Sequence, residues 1–101
     1  MSLKRGGAPK ELPVTLTITG QMSSDKLNIT YHNRKTSEVH EMLERVDMTV
    51  DGVVPFLVKE WDTDFPITEE GIREFEDEYP GIRDVIIAGF WKARRKELEK
   101  N

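Results

Sequence analysis

Two stretches near the start of the chain alternate apolar and polar residues with a period of two. In residues 13–19, Val14, Leu16 and Ile18 fall on one side and Thr15, Thr17 and Thr19 on the other. That is the pattern of a half-buried strand rich in β-forming residues. Leu27, Ile29 and Tyr31 repeat it in residues 26–32. The segment between, "GQMSSD", is rich in turn formers. The pair therefore predicts an antiparallel hairpin over 13–32, with a loop longer than two residues. Residues 1–12 have almost nothing to bury and predict a flexible arm.

The period then changes. Val39, Met42, Leu43 and Val46 recur at helical spacing, which predicts an amphipathic helix capped by Thr36 or Ser37 and ended by "TVDG" at 49–52. Residues 53–61 are ambiguous. Val53, Val54 and Val58 suit a strand, while Val54, Leu57, Val58 and Trp61 also match a helix, and Pro55 is comfortable in a first helical turn. A short helix is the reading adopted. "DTDFP" is a loop. Thr68 then caps a helix whose thin stripe is Ile72, Phe75 and Tyr79. Gly71 weakens that helix by about 1 kcal/mol relative to alanine, and Pro80 stops it. A last helix follows from 81 to 98. A hairpin followed by three or four helices predicts a single small α+β domain over 13–101, with its helical part at 36–100. A lone hairpin is marginal in water, so it must pack on the helices or on a second copy.

Composition narrows the functional classes. The chain has 101 residues, 34 % charged and 37 % hydrophobic, enough for one modest core. It has no cysteine, so disulfides and thiolate metal sites are excluded and a reducing cytoplasm is expected. No signal peptide or membrane-spanning run is evident. The net charge of −4 argues against a nucleic-acid protein. His40 and Glu44 share a helix face but lack a third metal ligand in register. The acids Glu69, Glu70, Glu74, Glu76, Asp77 and Glu78 read as a solvated face rather than a catalytic pair. No nucleophile setting and no phosphate loop is present. No enzyme activity, cofactor or metal is expected.

Charge is also segregated. Acids dominate from Glu60 to Asp84, whereas Lys92, Arg94, Arg95, Lys96 and Lys100 make the tail basic. Basic residues at a helix C-terminus complement its dipole. They could also contact nucleic acid, or pair head-to-tail with the acidic region of a neighbouring subunit.

The last helix carries apolar residues on two strips. Ile82, Val85, Ile86, Gly89, Phe90 and Ala93 make one wide stripe, in which Gly89 permits a close backbone approach. Ile87, Trp91 and Leu98 make a second. Either the helix is buried on most sides, or the second strip docks a partner or another copy. Aromatic residues beside arginine are common at binding hot spots.

Residues 56–101 carry a recognisable order of elements. An apolar helix ends in a tryptophan and an acid, with Leu57, Val58, Trp61 and Asp62. A helix start at Pro66, Ile67, Thr68 and Glu70 follows. The next helix ends in Tyr79, Pro80 and Gly81. The final helix is aromatic and then basic, with Phe90, Trp91, Lys92, Arg94, Arg95 and Lys96, before a terminal asparagine. This half resembles the C-terminal half of tail assembly chaperones of long-tailed bacteriophages and prophages. The resemblance implies a non-catalytic cytoplasmic protein that is absent from the finished virion. Such proteins coat the aggregation-prone tape measure protein until tail tube subunits replace them. Many have a longer frameshifted form that recruits the tube protein, and they tend to self-associate. On that basis Ile87, Phe90 and Trp91 are the expected apolar anchors, joined by Arg94 and Trp61. Helix-in-groove contacts use anchors at this spacing. Two other classes stay open: a structural tail protein such as a connector or tube component, and a small regulatory nucleic-acid binder using the basic last helix.

Overall fold

The computed structural model describes residues 5–19 and 24–99. Its elements in chain order are β1 (Glu11–Thr19), β2 (Ser24–His32), α1 (Thr36–Glu44), α2 (Val50–Leu57), β3 (Val58–Trp61), α3 (Glu69–Glu78) and α4 (Ile82–Glu99). The protein is α+β, with a three-stranded antiparallel sheet in the order β1-β2-β3. Of the expected turn at 20–25, residues 20–23 lie outside the described residues, as do the first four residues of the expected arm and the last two of the chain, and Ser24 and Asp25 belong to β2.

The hairpin alternation sets the sheet's two faces. Leu16 pairs with Leu27, Val14 with Ile29 and Leu12 with Tyr31. All six face the core, and Leu12 is buried, so β1 begins inside the segment expected to be a flexible arm. The opposite face is polar. There Thr15 Oγ1 donates to Asn28 Oδ1 (2.8 Å), and Asn28 Nδ2 donates to Asp62 Oδ2 (2.7 Å). The latter contact, with the Asn28 backbone N–H bonded to Asp62 Oδ1, holds the Asp62 carboxyl below the usual range. Lys59 pairs with Glu11 on the outer strands.

Residues 53–61 divide between the two readings of the sequence. Thr49 does not end α1; its Oγ1 accepts from Gly52 N (3.1 Å) and starts α2. Pro55 therefore lies inside α2 rather than in its first turn. Val58–Trp61 then leaves the helix to pair with β2, Trp61 opposite Ile29, with a register shift between Thr30 and Tyr31. Arg34 anchors the β2–α1 connection on α2, its Nε donating to Phe56 O (2.9 Å) and its guanidinium lying over the Phe56 ring.

α1 is shorter than its apolar pattern. It ends at Glu44, Val39 is its one buried residue, and Leu43 and Val46 are exposed. Its start is not capped by Thr36 or Ser37. Instead Glu38 Oε1 reaches back to the Lys35 N–H (2.9 Å), and Thr36 is the first helical residue.

Thr68 caps α3 as expected, its Oγ1 accepting from Gly71 N (3.0 Å). Gly71 is there for space, because a Cβ would fall 2.0 Å from Pro66 O. Ile72 and Phe75 are buried, whereas Tyr79, the third member of the expected stripe, is exposed. Gly81, at φ +96°, turns the chain into α4. Glu76 closes this corner by accepting from Gly81 N (2.6 Å) and Arg83 N (3.1 Å). These backbone donors, with Arg83 beside them, keep the Glu76 carboxyl below the usual range.

α2 and α4 pack beside each other on the apolar face of the sheet, α4 against β1. One charged group enters this packing. Asp51 on α2 is buried and accepts from Arg83 Nη1 (2.7 Å) and Arg73 Nε (3.2 Å). It thereby ties α2 to both α3 and α4.

Candidate functional site

The first strip of α4 is core. Ile82, Ile86, Phe90 and Ala93 are buried. Gly89 sits close against the sheet. A Cβ there would meet Tyr31 Oη at 2.6 Å and Leu16 Cδ2 at 2.9 Å, so side chains approach it rather than a backbone. Tyr31 Oη donates to Ile86 O (2.6 Å), and burial pushes the phenol pKa up, so it stays a donor. Val85, expected in the same stripe, is 40 % exposed.

This packing separates the expected anchors. Phe90 is fully buried, with its ring edge on Tyr31 at 5.7 Å between centroids. It supports the site from beneath and is corrected to a core residue. Ile87 is half-buried at the margin of the core. Trp91 is 38 % exposed and packs edge-on against Phe90 at 5.1 Å. One helical position is a rotation of about 100°, enough to take Trp91 out of the arc that buries Phe90. The Leu98 side chain lies outside those described.

Arg94 completes the group. Its guanidinium carbon stands 5.7 Å from the centroids of both Phe90 and Trp91, within cation–π range. Its Nη1 donates to Thr36 Oγ1 (3.0 Å), a side-chain link between α4 and the start of α1. Leu43 is seven residues on from Thr36, on the same side of α1, and is 54 % exposed. Ile87, Trp91 and Arg94 thus form one group on α4, and Leu43 is a separate exposed apolar residue on α1. Leu43 was legible only as a core candidate, because helical spacing marks an apolar face without saying whether anything covers it.

Trp61 belongs elsewhere. Its indole N–H donates to Phe65 O (2.7 Å), and its ring meets Phe75 edge-on at 5.5 Å. Phe65 stacks on Phe75 at 4.6 Å, and Tyr79 closes the same cluster. These contacts give Trp61 a packing role in the loop before α3.

The chemistry of the remaining surface is plain. The polar face of the sheet holds an open trough of about 460 Å³ lined by Thr15, Asn28, Thr30, Glu60 and Asp62, among others. Its central polar groups bond to one another. Among the described residues no group of three or more His, Asp or Glu could hold a metal ion. His40 and Glu44 are both exposed on α1. No helix among them is long and apolar enough to cross a membrane. Lys92, Arg95 and Lys96 are exposed along α4, and most acids of α3 are exposed too. Comparison with family models, with curated proteins and with solved structures finds no match.

Proposed function

We propose that the protein is a non-catalytic tail assembly chaperone of a long-tailed phage or prophage. Acting in the bacterial cytoplasm, it holds apolar helical segments of the tape measure protein until tail tube subunits take them over. The observation that carries this reading is the exposed Trp91, backed by buried Phe90 and flanked by Ile87 and Arg94. A rigid, partly exposed aromatic beside an arginine suits a binding hot spot. An amphipathic helix presents apolar groups at three- and four-residue spacing, which suits the i, i+4 pair Ile87 and Trp91 on α4. The family and the partner rest on the resemblance of residues 56–101, in which the Thr68 helix start, the corner at Tyr79, Pro80 and Gly81 and the aromatic-then-basic α4 support the reading, whereas Trp61 stands on β3 rather than at a helix end. The acidic surface of α3 would keep a crowded complex soluble.

The test is co-expression with the tape measure protein of the same phage. The wild type is expected to keep it soluble and to co-purify with it. Trp91→Glu is expected to lose both effects while its circular dichroism stays native. A tape measure protein that remains insoluble with the wild type would refute the proposal. A structural tail component predicts retention in the virion instead, and a nucleic-acid binder predicts affinity that falls steeply with salt.

A further inference from the structure

The two edges of the sheet are built differently. The β3 edge is four residues long, carries Lys59 and Glu60, and follows the register shift at Thr30 and Tyr31. Short length, charge and irregularity are the features that keep an edge from pairing. β1 runs for nine residues with an unbroken register; Glu11 and Pro13 blunt its first three residues, and residues 14–18 carry no charge, proline or irregularity.

The direction of the β1 backbone groups follows from two bonds. Asn33 N donates to Lys10 O (2.9 Å), which makes this pair, and every second pair after it, hydrogen-bonded. Leu12, Val14, Leu16 and Ile18 therefore bond to β2. The bond from Asp62 N to Asn28 O (3.1 Å) gives β2 the complementary parity toward β3. Glu11, Pro13, Thr15 and Thr17 consequently aim their backbone groups at the open edge, and all four are exposed. Pro13 breaks no ladder bond, since its missing N–H would point outward. The N–H groups of Thr15 and Thr17 and the carbonyls of Pro13, Thr15 and Thr17 remain to be paired.

The edge has apolar and basic margins. Val14, Leu16 and Ile18 are only half-buried. Above them lies α4, with Gly89 against Leu16. Val85, Lys92 and Lys96 share the Gly89 side of α4 by helical spacing and are exposed. The bond from Arg94 to Thr36, four residues beyond the Glu11 partner His32, places the basic end of α4 near the Glu11 end of β1.

We propose that β1 accepts an extended segment of another protein as a fourth strand of the sheet. The segment has aliphatic residues at alternate positions and an acidic end toward Lys92 and Lys96. It carries no helical layer of its own. A second copy of this chain fits poorly, because an antiparallel β1–β1 pair would put both α4 helices on one face. Paired strands stand about 4.8 Å apart, whereas packed helices need about 8–10 Å. This site is separate from the Trp91 surface and does not rest on the chaperone reading.

The test titrates the ¹⁵N-labelled wild type with an alternating valine–threonine nonapeptide ending in two glutamates. Saturable shifts centred on the Thr15 and Thr17 amides are expected, with slowed exchange of both. N-methylating the peptide at alternate positions of one parity is expected to weaken binding at least tenfold, and of the other parity to leave it unchanged. Thr15→Pro, checked for native circular dichroism, is expected to weaken it comparably. Equal binding of the two methylated peptides, or shifts confined to other parts of the chain, would overturn the proposal. A wild-type dimer broken by Thr15→Pro would overturn the choice of occupant. Equal affinity for a lysine-ended peptide would overturn the acidic assignment.

Discussion

Replacing Gly89 with alanine tests how α4 is seated. In an exposed helix interior this change stabilises by about 1 kcal/mol. Here the new Cβ would lie 2.6 Å from Tyr31 Oη and 2.9 Å from Leu16 Cδ2. Leu16 can move, being half-buried at the sheet margin. Tyr31 has nowhere to go, because it is fully buried, packed on Phe90 and bonded to Ile86 O at 2.6 Å. Overpacking costs about 1–3 kcal/mol, and displacing the buried hydroxyl from its acceptor costs about 1–3 kcal/mol more. Against a gain of about 1 kcal/mol, the net is a loss of about 1–5 kcal/mol. Each kcal/mol is worth roughly 4–8 °C in Tm at this size. The assay is urea and thermal unfolding of Gly89→Ala, Tyr31→Phe and the double variant. Removing the hydroxyl takes away the nearest obstacle, so alanine should cost at least about 1 kcal/mol less in the phenylalanine background, a coupling expected of residues in contact. Stabilisation by Gly89→Ala, or simple additivity, would refute the close seating of α4 on Tyr31.

Two further outcomes concern the charged core. Asp51→Asn keeps one acceptor oxygen but sets an NH2 donor against one of the two arginines and removes the charge they share, and is expected to destabilise by about 1–3 kcal/mol, measured by urea unfolding, with a smaller effect from Arg73→Gln because Arg73 is largely exposed. Glu76 has a depressed carboxyl pKa in the fold, so its contribution is complete above the ordinary glutamate value and is lost as pH falls through the folded one. Unfolding free energy measured from pH 7 down to pH 3 should therefore fall less steeply in Glu76→Gln than in the wild type.

The legible parts of the fold are those with a clean local period. Val14, Leu16, Ile18, Leu27, Ile29 and Tyr31 announce the hairpin because alternation needs no knowledge of the rest of the chain. Ile82, Ile86, Phe90 and Ala93 announce the buried stripe of α4 for the same reason. β3 was hidden because Val58 and Trp61 also fit a helix, and only its pairing with β2, some thirty residues away, decides the matter. Asp51 and Glu76 were hidden among the acids, since composition does not say which of them meet Arg73, Arg83 or the start of α4. Leu43, Val46 and Val85 were read as covered because spacing marks a face but not its neighbour. Phe90 and Trp91 are adjacent in the chain, and only the width of the arc covered by the sheet separates the core residue from the surface one.

The most direct measurement is a binding titration of purified wild type and Trp91→Glu with an apolar helical segment of the tape measure protein, with Tm recorded for both. The surface account predicts that Trp91→Glu keeps a Tm close to that of the wild type and loses at least tenfold in affinity. Undiminished binding by a folded Trp91→Glu would contradict it, as would a Trp91→Glu protein that fails to fold, which would make Trp91 part of the core.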